Sequence, residues 1–163
     1  MELNQKMELN QKVADFTLQT DEDKTTSLSD YAGKPVVLFF YPRADTPGCT
    51  IEACGFRDTF TKLQAAGAVV LGISRDTPKA QAKFRAKYDL PYTLLADVDE
   101  KVCNLFGVLK EKNMYGKKVW GIERTTFVIG PDRTLLHIFP KVTPEGHAEQ
   151  VLELIKEWNK AQK

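Results

Sequence analysis

The run Val36-Val37-Leu38-Phe39-Phe40-Tyr41 carries no polar group before the tyrosine hydroxyl at its end. β-Branched and aromatic residues without alternation predict a strand buried on both faces. Such a strand needs cover from both sides, and the flanking segments supply it. Thr50 to Ala66 reads as a helix that ends at Gly67, a residue suited to the C′ position. Ala68 to Ser74 is a second buried strand. Thr77-Pro78 places an N-cap before a proline at the first helical position and opens a helix to about Tyr88. Thr93 to Ala96 is a short strand. Asp97, with Glu100 three residues later, predicts a capping-box start to a helix through about Phe106.

Gly107 to Gly121 reads as a loop in which Lys110, Glu111, Lys112, Lys117 and Lys118 are solvated. Arg124 to Ile129 and Thr134 to Pro140 read as strands joined by the turn Gly130-Pro131-Asp132, hence an antiparallel hairpin. Ala148 to about Lys160 is an amphipathic helix with Val151, Leu154, Ile155 and Trp158 on one face. Asp15 to Leu28 is expected to hold a small N-terminal hairpin turning at Asp21-Glu22-Asp23. This order predicts an α/β protein with a central mixed sheet flanked by helices. A terminal hairpin and helix after a βαβ unit resembles the thioredoxin-like folds. The hexamer MELNQK fills residues 1–6 and again residues 7–12. It is too short to be a structural repeat. Residues 1–12 are therefore read as a duplicated start or cloning scar, disordered or foreign to the fold, ahead of a single domain over residues 13–163.

With 42% hydrophobic and 28% charged residues the chain falls among ordinary soluble globular proteins. A net charge of +1 argues against nucleic acid or an anionic membrane as partner. No apolar run approaches the roughly 20 residues of a membrane helix. Three cysteines are too few, and odd in number, for a secreted disulfide scaffold. A cytoplasmic location is expected, where a close cysteine pair reads as catalytic or metal-binding. His137 and His147 lack a second ligand at metal spacing, Asp97-Val98-Asp99-Glu100 lacks the pattern of a calcium loop, and no phosphate-binding glycine motif occurs. No cofactor is expected.

The segment that carries chemistry is Pro42-Arg43-Ala44-Asp45-Thr46-Pro47-Gly48-Cys49-Thr50-Ile51-Glu52-Ala53-Cys54. It leaves the carboxyl end of the buried strand and enters the first turn of a helix, where sites in α/β sheets gather. Unpaired N–H groups at a helix start carry partial positive charge and favour a thiolate, the nucleophilic form of cysteine. Thr46 adds a hydroxyl that could donate to the thiolate or to a substrate oxygen. Pro42 and Pro47 restrict the loop.

The spacing Pro42-xxx-Thr46-xx-Cys49 resembles the active-site motif of the peroxiredoxins. The longer stretch TPGCTIEAC is similar to their bacterioferritin comigratory, or Q-type, subgroup. The resemblance spans roughly residues 13–160 and implies a thioredoxin-dependent peroxidase that reduces hydrogen peroxide and organic hydroperoxides. It implies that Cys49 is the peroxidatic thiol, that Thr46 binds peroxide with Gly48 and Cys49, and that Pro42 shields the pocket. It further implies an arginine from a distant strand, which Arg124 matches in type and position, and more weakly Glu52 as a polar residue that orients it. It also implies Cys54 as the resolving partner in a disulfide with Cys49, a thioredoxin- or glutaredoxin-type reductant, and a monomer.

In an intact helix the Cα atoms of Cys49 and Cys54 would lie about 8.6 Å apart, with side chains about 140° apart. A disulfide needs less than about 7 Å. The pair can therefore close only if the first turns unwind. Gly48 and Gly55 at the flanks and β-branched Thr50 and Ile51 make that cheap. Cys103 alternates with apolar residues and reads as inert packing, with a backup resolving role left open. Arg43 and Arg57 read as solvated. A disulfide reductase is disfavoured because no C-x-x-C occurs. A non-enzymatic thiol switch or holdase is the rival reading.

Overall fold

A computed structural model describes residues 7–162, the side chain of Met114 excepted. A seven-stranded mixed sheet forms its centre, in the order β2-β1-β5-β4-β3-β8-β9. The apolar run becomes β3, Val36–Phe40, with every residue buried. It pairs in parallel with β4 (Val69–Ser74) and antiparallel with β8 (Thr125–Ile129). β5 (Thr93–Ala96) extends the parallel part beyond β4. The predicted N-terminal hairpin is β1 (Thr17–Thr20) with β2 (Thr25–Ser27), and β1 pairs antiparallel with β5. The predicted C-terminal hairpin is β8 with β9 (Leu135–Phe139).

Alternation along β3 divides the core. Val36, Leu38 and Phe40 face one cluster with Phe106, Phe127 and Cys103. Val37, Phe39 and Tyr41 face the other, with Phe56, Phe84, Val151, Ile155 and Cys49. The second face is covered by α1 (Pro47–Ala65), α2 (Pro78–Tyr88) and α4 (His147–Ala161). The α2 start is as read: the Thr77 hydroxyl accepts from Ala80 N–H at 3.2 Å. Each fully buried aromatic or aliphatic side chain contributes about 1.5–3 kcal/mol. No helix among the described residues is long and apolar enough to cross a membrane.

Three expectations need correction. The Gly107–Gly121 loop is instead an antiparallel arm of β6 (Leu109–Met114) and β7 (Lys117–Ile122). Its turn is Tyr115-Gly116, with φ of +53° and +79°, the geometry of a two-residue hairpin. Tyr-Gly lacks the usual Asn or Asp signal, and an arm standing off the main sheet needs no apolar alternation. The helix after β5 is shorter, α3 at Lys101–Leu105, with Glu100 as its N-cap. Asp97 does cap it, but from further back, accepting from Val102 and Cys103 N–H at 3.2 and 2.7 Å. Finally, residues 1–6 of the repeated hexamer lie outside the described residues, whereas the second copy is bonded to the fold. Asn10 N–H donates to Leu135 O, and Leu135 N–H to Gln11 O, both at 2.9 Å.

Gly72 permits a close approach inside the sheet. It lies between Phe39 and Leu94 in register. A Cβ there would meet Leu94 Cδ2 at 2.8 Å and Phe39 Cζ at 2.9 Å. Phe39 in turn stacks on Phe56 at 4.6 Å and meets Tyr92 edge-on at 5.7 Å, so it has little room to yield. Gly72→Ala is expected to lower the unfolding free energy by about 1–3 kcal/mol in urea titration.

Candidate active site

α1 begins earlier than its sequence pattern suggested, at Pro47 rather than Thr50, with Thr46 as N-cap. Cys49 is therefore the third residue of the helix. The first intrahelical bond runs from Thr50 N–H to Thr46 O at 2.8 Å, so the Gly48 and Cys49 amides precede the ladder. The Thr46 side chain does not cap them. It donates instead to Arg43 O at 2.8 Å. Its hydrogen is therefore engaged there rather than on the thiolate or a substrate oxygen, the two expected acceptors, and its lone pairs remain to accept.

The loop between β3 and α1 is tied to the ends of β4 and α2. Ala44 N–H donates to Asp76 at 2.8 Å, and Ser74 Oγ donates to the same oxygen at 2.6 Å. Asp45, at φ +61°, bonds Lys87 at 2.9 Å and the Tyr88 hydroxyl at 2.8 Å. Pro42 lines a shallow groove with Arg43, Arg75, Asp76, Val98 and Glu100.

Arg124 reaches Cys49 because β8 runs antiparallel to β3 with Thr125 opposite Phe40. The residue before Thr125 must then stand beside the exit of β3, where the Cys49 loop begins. Arg124 Nη1 donates to Cys49 Sγ at 3.4 Å and to Glu52 Oε1 at 2.8 Å. The guanidinium lies over Gly48, where a Cβ would come within 2.9 Å of Nη2. Its backbone is held too, since Val142 N–H donates to Arg124 O at 2.9 Å. Cys49 is only 1% exposed, so this hydrogen bond acts in a site with little competing water.

Glu52 is the costly member. Its side chain is fully buried, and Oε2 has no hydrogen-bond partner. Burial pushes its carboxyl up from the usual 4.5 to about 7, with the Arg124 ion pair opposing that rise. It balances the arginine's charge beneath the thiol.

Cys54 is half-buried in the same unbroken helix, and all three cysteines are free. Burial raises the Cys54 thiol, with Arg57 opposing and Asp58 adding to the rise. Arg57 is itself engaged rather than simply solvated, donating to Tyr88 O at 2.9 Å and to Asp58 at 3.0 Å. Arg43 is exposed, as expected. Cys103 is fully buried on the opposite face of the sheet from Cys49, and burial drives its thiol far upward. His147 is a core residue, its Nε2 2.8 Å from Thr126 Oγ1. Sequence reasoning missed Lys112, which is half-buried and donates to Ile122 O at 2.7 Å. A lysine among solvated charges carries no sequence signal of that contact.

A thioredoxin-like fold that holds a guanidinium-bonded cysteine in the first turn of a helix is the architecture of a thiol-based oxidoreductase. Comparison with known proteins narrows the class. Residues 9–138 match the model of the AhpC/TSA family. The putative peroxiredoxin bcp of Coxiella burnetii is 53% identical, covering 90% of this chain and 97% of that one. The peroxiredoxin Bcp of Escherichia coli K12 is 42% identical, over 87% and 91%. Among solved structures, Xylella fastidiosa PrxQ superposes with a TM-score of 0.89 at 36% identity, over 94% and 98%. The bacterioferritin comigratory protein of Xanthomonas campestris does so at 0.85 and 40%, over 88% and 92%. The chain belongs to the AhpC/TSA family, in its bacterioferritin comigratory (Q-type) peroxiredoxin branch, and is a thiol-dependent peroxidase.

The Glu52 carboxyl makes stability depend on pH. Its folded value lies above the unfolded one, so the folded protein holds a proton that the unfolded chain releases. That stability is complete below about 4.5 and is lost as pH rises through about 7. Glu52→Gln stays neutral throughout. Its stability relative to the parent is expected to grow by about 3 kcal/mol over that interval, read from urea titrations at stepped pH.

Proposed function

We propose that Cys49 attacks the peroxide, that Cys54 resolves the product as a disulfide, and that a thioredoxin- or glutaredoxin-type protein recycles it. The observation that carries this reading is the 3.4 Å hydrogen bond from Arg124 Nη1 to Cys49 Sγ in the first turn of α1. The substrates are hydrogen peroxide and organic hydroperoxides. Alkyl peroxide reduction is described for the Xanthomonas campestris relative, which supports the second class. The protein acts as a monomer in the cytoplasm.

The thiolate Sγ attacks one peroxide oxygen. An S–O bond forms as the O–O bond breaks, and the other oxygen leaves with the electron pair and takes up a proton. The Gly48 and Cys49 amides and the Arg124 guanidinium are the donors that stabilise this developing charge. Thr46, whose hydrogen is given to Arg43 O, accepts a hydrogen bond from the peroxide O–H, and the proton taken up by the leaving oxygen comes from solvent. Pro42 limits water at the rim. The product is Cys49 sulfenic acid, the first rung of thiol oxidation.

In the second step Cys54 sulfur attacks Cys49 sulfur; an S–S bond forms, the S–O bond breaks, and the oxygen leaves as water. Both residues lie within α1, so its first turns must open. Opening breaks the Arg124–Glu52 ion pair and the bond in which the Tyr92 hydroxyl donates to Ala53 O at 2.7 Å. It also hydrates the unpartnered Glu52 Oε2, a gain that offsets part of the loss. The reductant then reopens the disulfide by thiol exchange.

Intact mass and peptide mapping after one equivalent of peroxide test the cycle. Wild type should yield a Cys49–Cys54 disulfide, Cys54→Ser a sulfenic acid that a second equivalent overoxidises, and Cys49→Ser no peroxide consumption. A Cys49–Cys103 disulfide, or oxidation of wild type without turnover in the presence of reductant, would overturn the scheme. Tyr92→Phe removes one tether of the opening segment. It is expected to speed disulfide closure by roughly fivefold, about the worth of one buried hydrogen bond, in stopped-flow fluorescence.

A further inference from the structure

We propose that Lys112 is a positioning residue for the Cys49 site, holding the approach to Arg124 and adding positive charge beside it. The inference rests on the reading of Cys49 as the peroxide-reactive thiol.

Three observations carry it. Lys112 Nζ donates to Ile122 O at 2.7 Å, two residues before Arg124. The stem of the side chain lies across Gly121, where a Cβ would meet Lys112 Cδ at 3.3 Å and Cε at 3.4 Å. Gly121 is buried, although Trp120 before it is exposed. The glycine thus provides the niche in which the lysine folds back along its own hairpin instead of extending into water, as the neighbouring lysines do.

The bond also completes a set of tethers around the arginine. Glu123 N–H donates to Val108 O at 2.8 Å, and Arg124 O accepts from Val142 N–H at 2.9 Å. With Lys112 on Ile122 O, the peptides from Ile122 to Arg124 are each held. A guanidinium that must reach both a sulfur and a carboxylate with one nitrogen tolerates little movement of its backbone. Lys112 thus ties β6 to the end of β7 from which the chain runs on to Arg124.

Charge is the second part. Burial lowers the Lys112 ammonium, as do Arg124 and Arg75, while Glu123 and Cys49 raise it. Protonated Lys112 thus adds positive charge to the site that holds Arg124 and Cys49.

The test compares the full-length protein with Lys112→Met, which keeps the stem and removes the charge and the donor, and with Lys112→Arg. Two quantities are read: the rate constant of Cys49 with hydrogen peroxide, and the pH profile of its alkylation by iodoacetamide in a Cys54→Ser background. Lys112→Met is expected to slow the peroxide step by about tenfold and to move the alkylation profile up by about half a pH unit. Lys112→Arg is expected to keep the parent profile. A purely structural role would lower the melting temperature without moving the profile. An unmoved profile, or an unchanged peroxide rate in Lys112→Met, overturns the proposal. If Lys112→Met does not fold, Lys112→Gln, which also lacks the charge, is read in the same two assays, and an unmoved profile or an unchanged peroxide rate overturns the proposal. Failure of the parent itself to react at Cys49 would instead overturn the function on which the inference stands.

Discussion

Antiparallel pairing of β8 with β3 sets Thr125 opposite Phe40, and the reactive site depends on that register. One residue of slip would turn every side chain of β8 to the other face of the sheet. The register is fixed by burial on both sides, since β3 and β8 contain no exposed residue. A thiol in the first turn of α1 and an arginine before β8 are thereby brought within hydrogen-bonding distance, although they are 75 residues apart in the chain. The rigidity that makes the core also makes the site.

The same geometry carries a cost at Glu52. A fully buried carboxylate with one unpartnered oxygen destabilises α1, and the ion pair to Arg124 offsets only part of that. The cost falls on the helix that must open if Cys49 is to meet Cys54. The folded first turn holds the thiol against its donors, while the buried acid keeps that turn from being too stable. Tyr92 acts in the opposite sense, tying Ala53 O to the neighbouring strand region.

Legibility in the sequence followed the strength of the local pattern. The continuous apolar strands were readable because burial on both faces leaves no alternation, and Thr77-Pro78 because its capping chemistry is local. Tyr115-Gly116 and its arm were not, because an exposed hairpin with charged faces has neither apolar periodicity nor the common turn pair. Asp97 was identified as a cap, but its actual partners at Val102 and Cys103 depend on a turn that sequence spacing does not disclose. At the site, Cys49 and its motif were plain, whereas the direction of the Thr46 hydroxyl and the burial of Lys112 came from the surrounding loops.

The sequence by itself determined a mixed α/β sheet built on the Val36–Tyr41 run, a thiol at the start of a helix, and a second thiol that an intact helix keeps out of disulfide reach. These follow from composition along a single segment and from helix geometry. The tertiary structure alone decided that Arg124 bonds both Cys49 and Glu52, that Cys103 lies across the sheet, and that Lys112 turns back onto Ile122. Each depends on the pairing of strands distant in the chain, and the register of such pairs is a property of the whole core rather than of any local sequence.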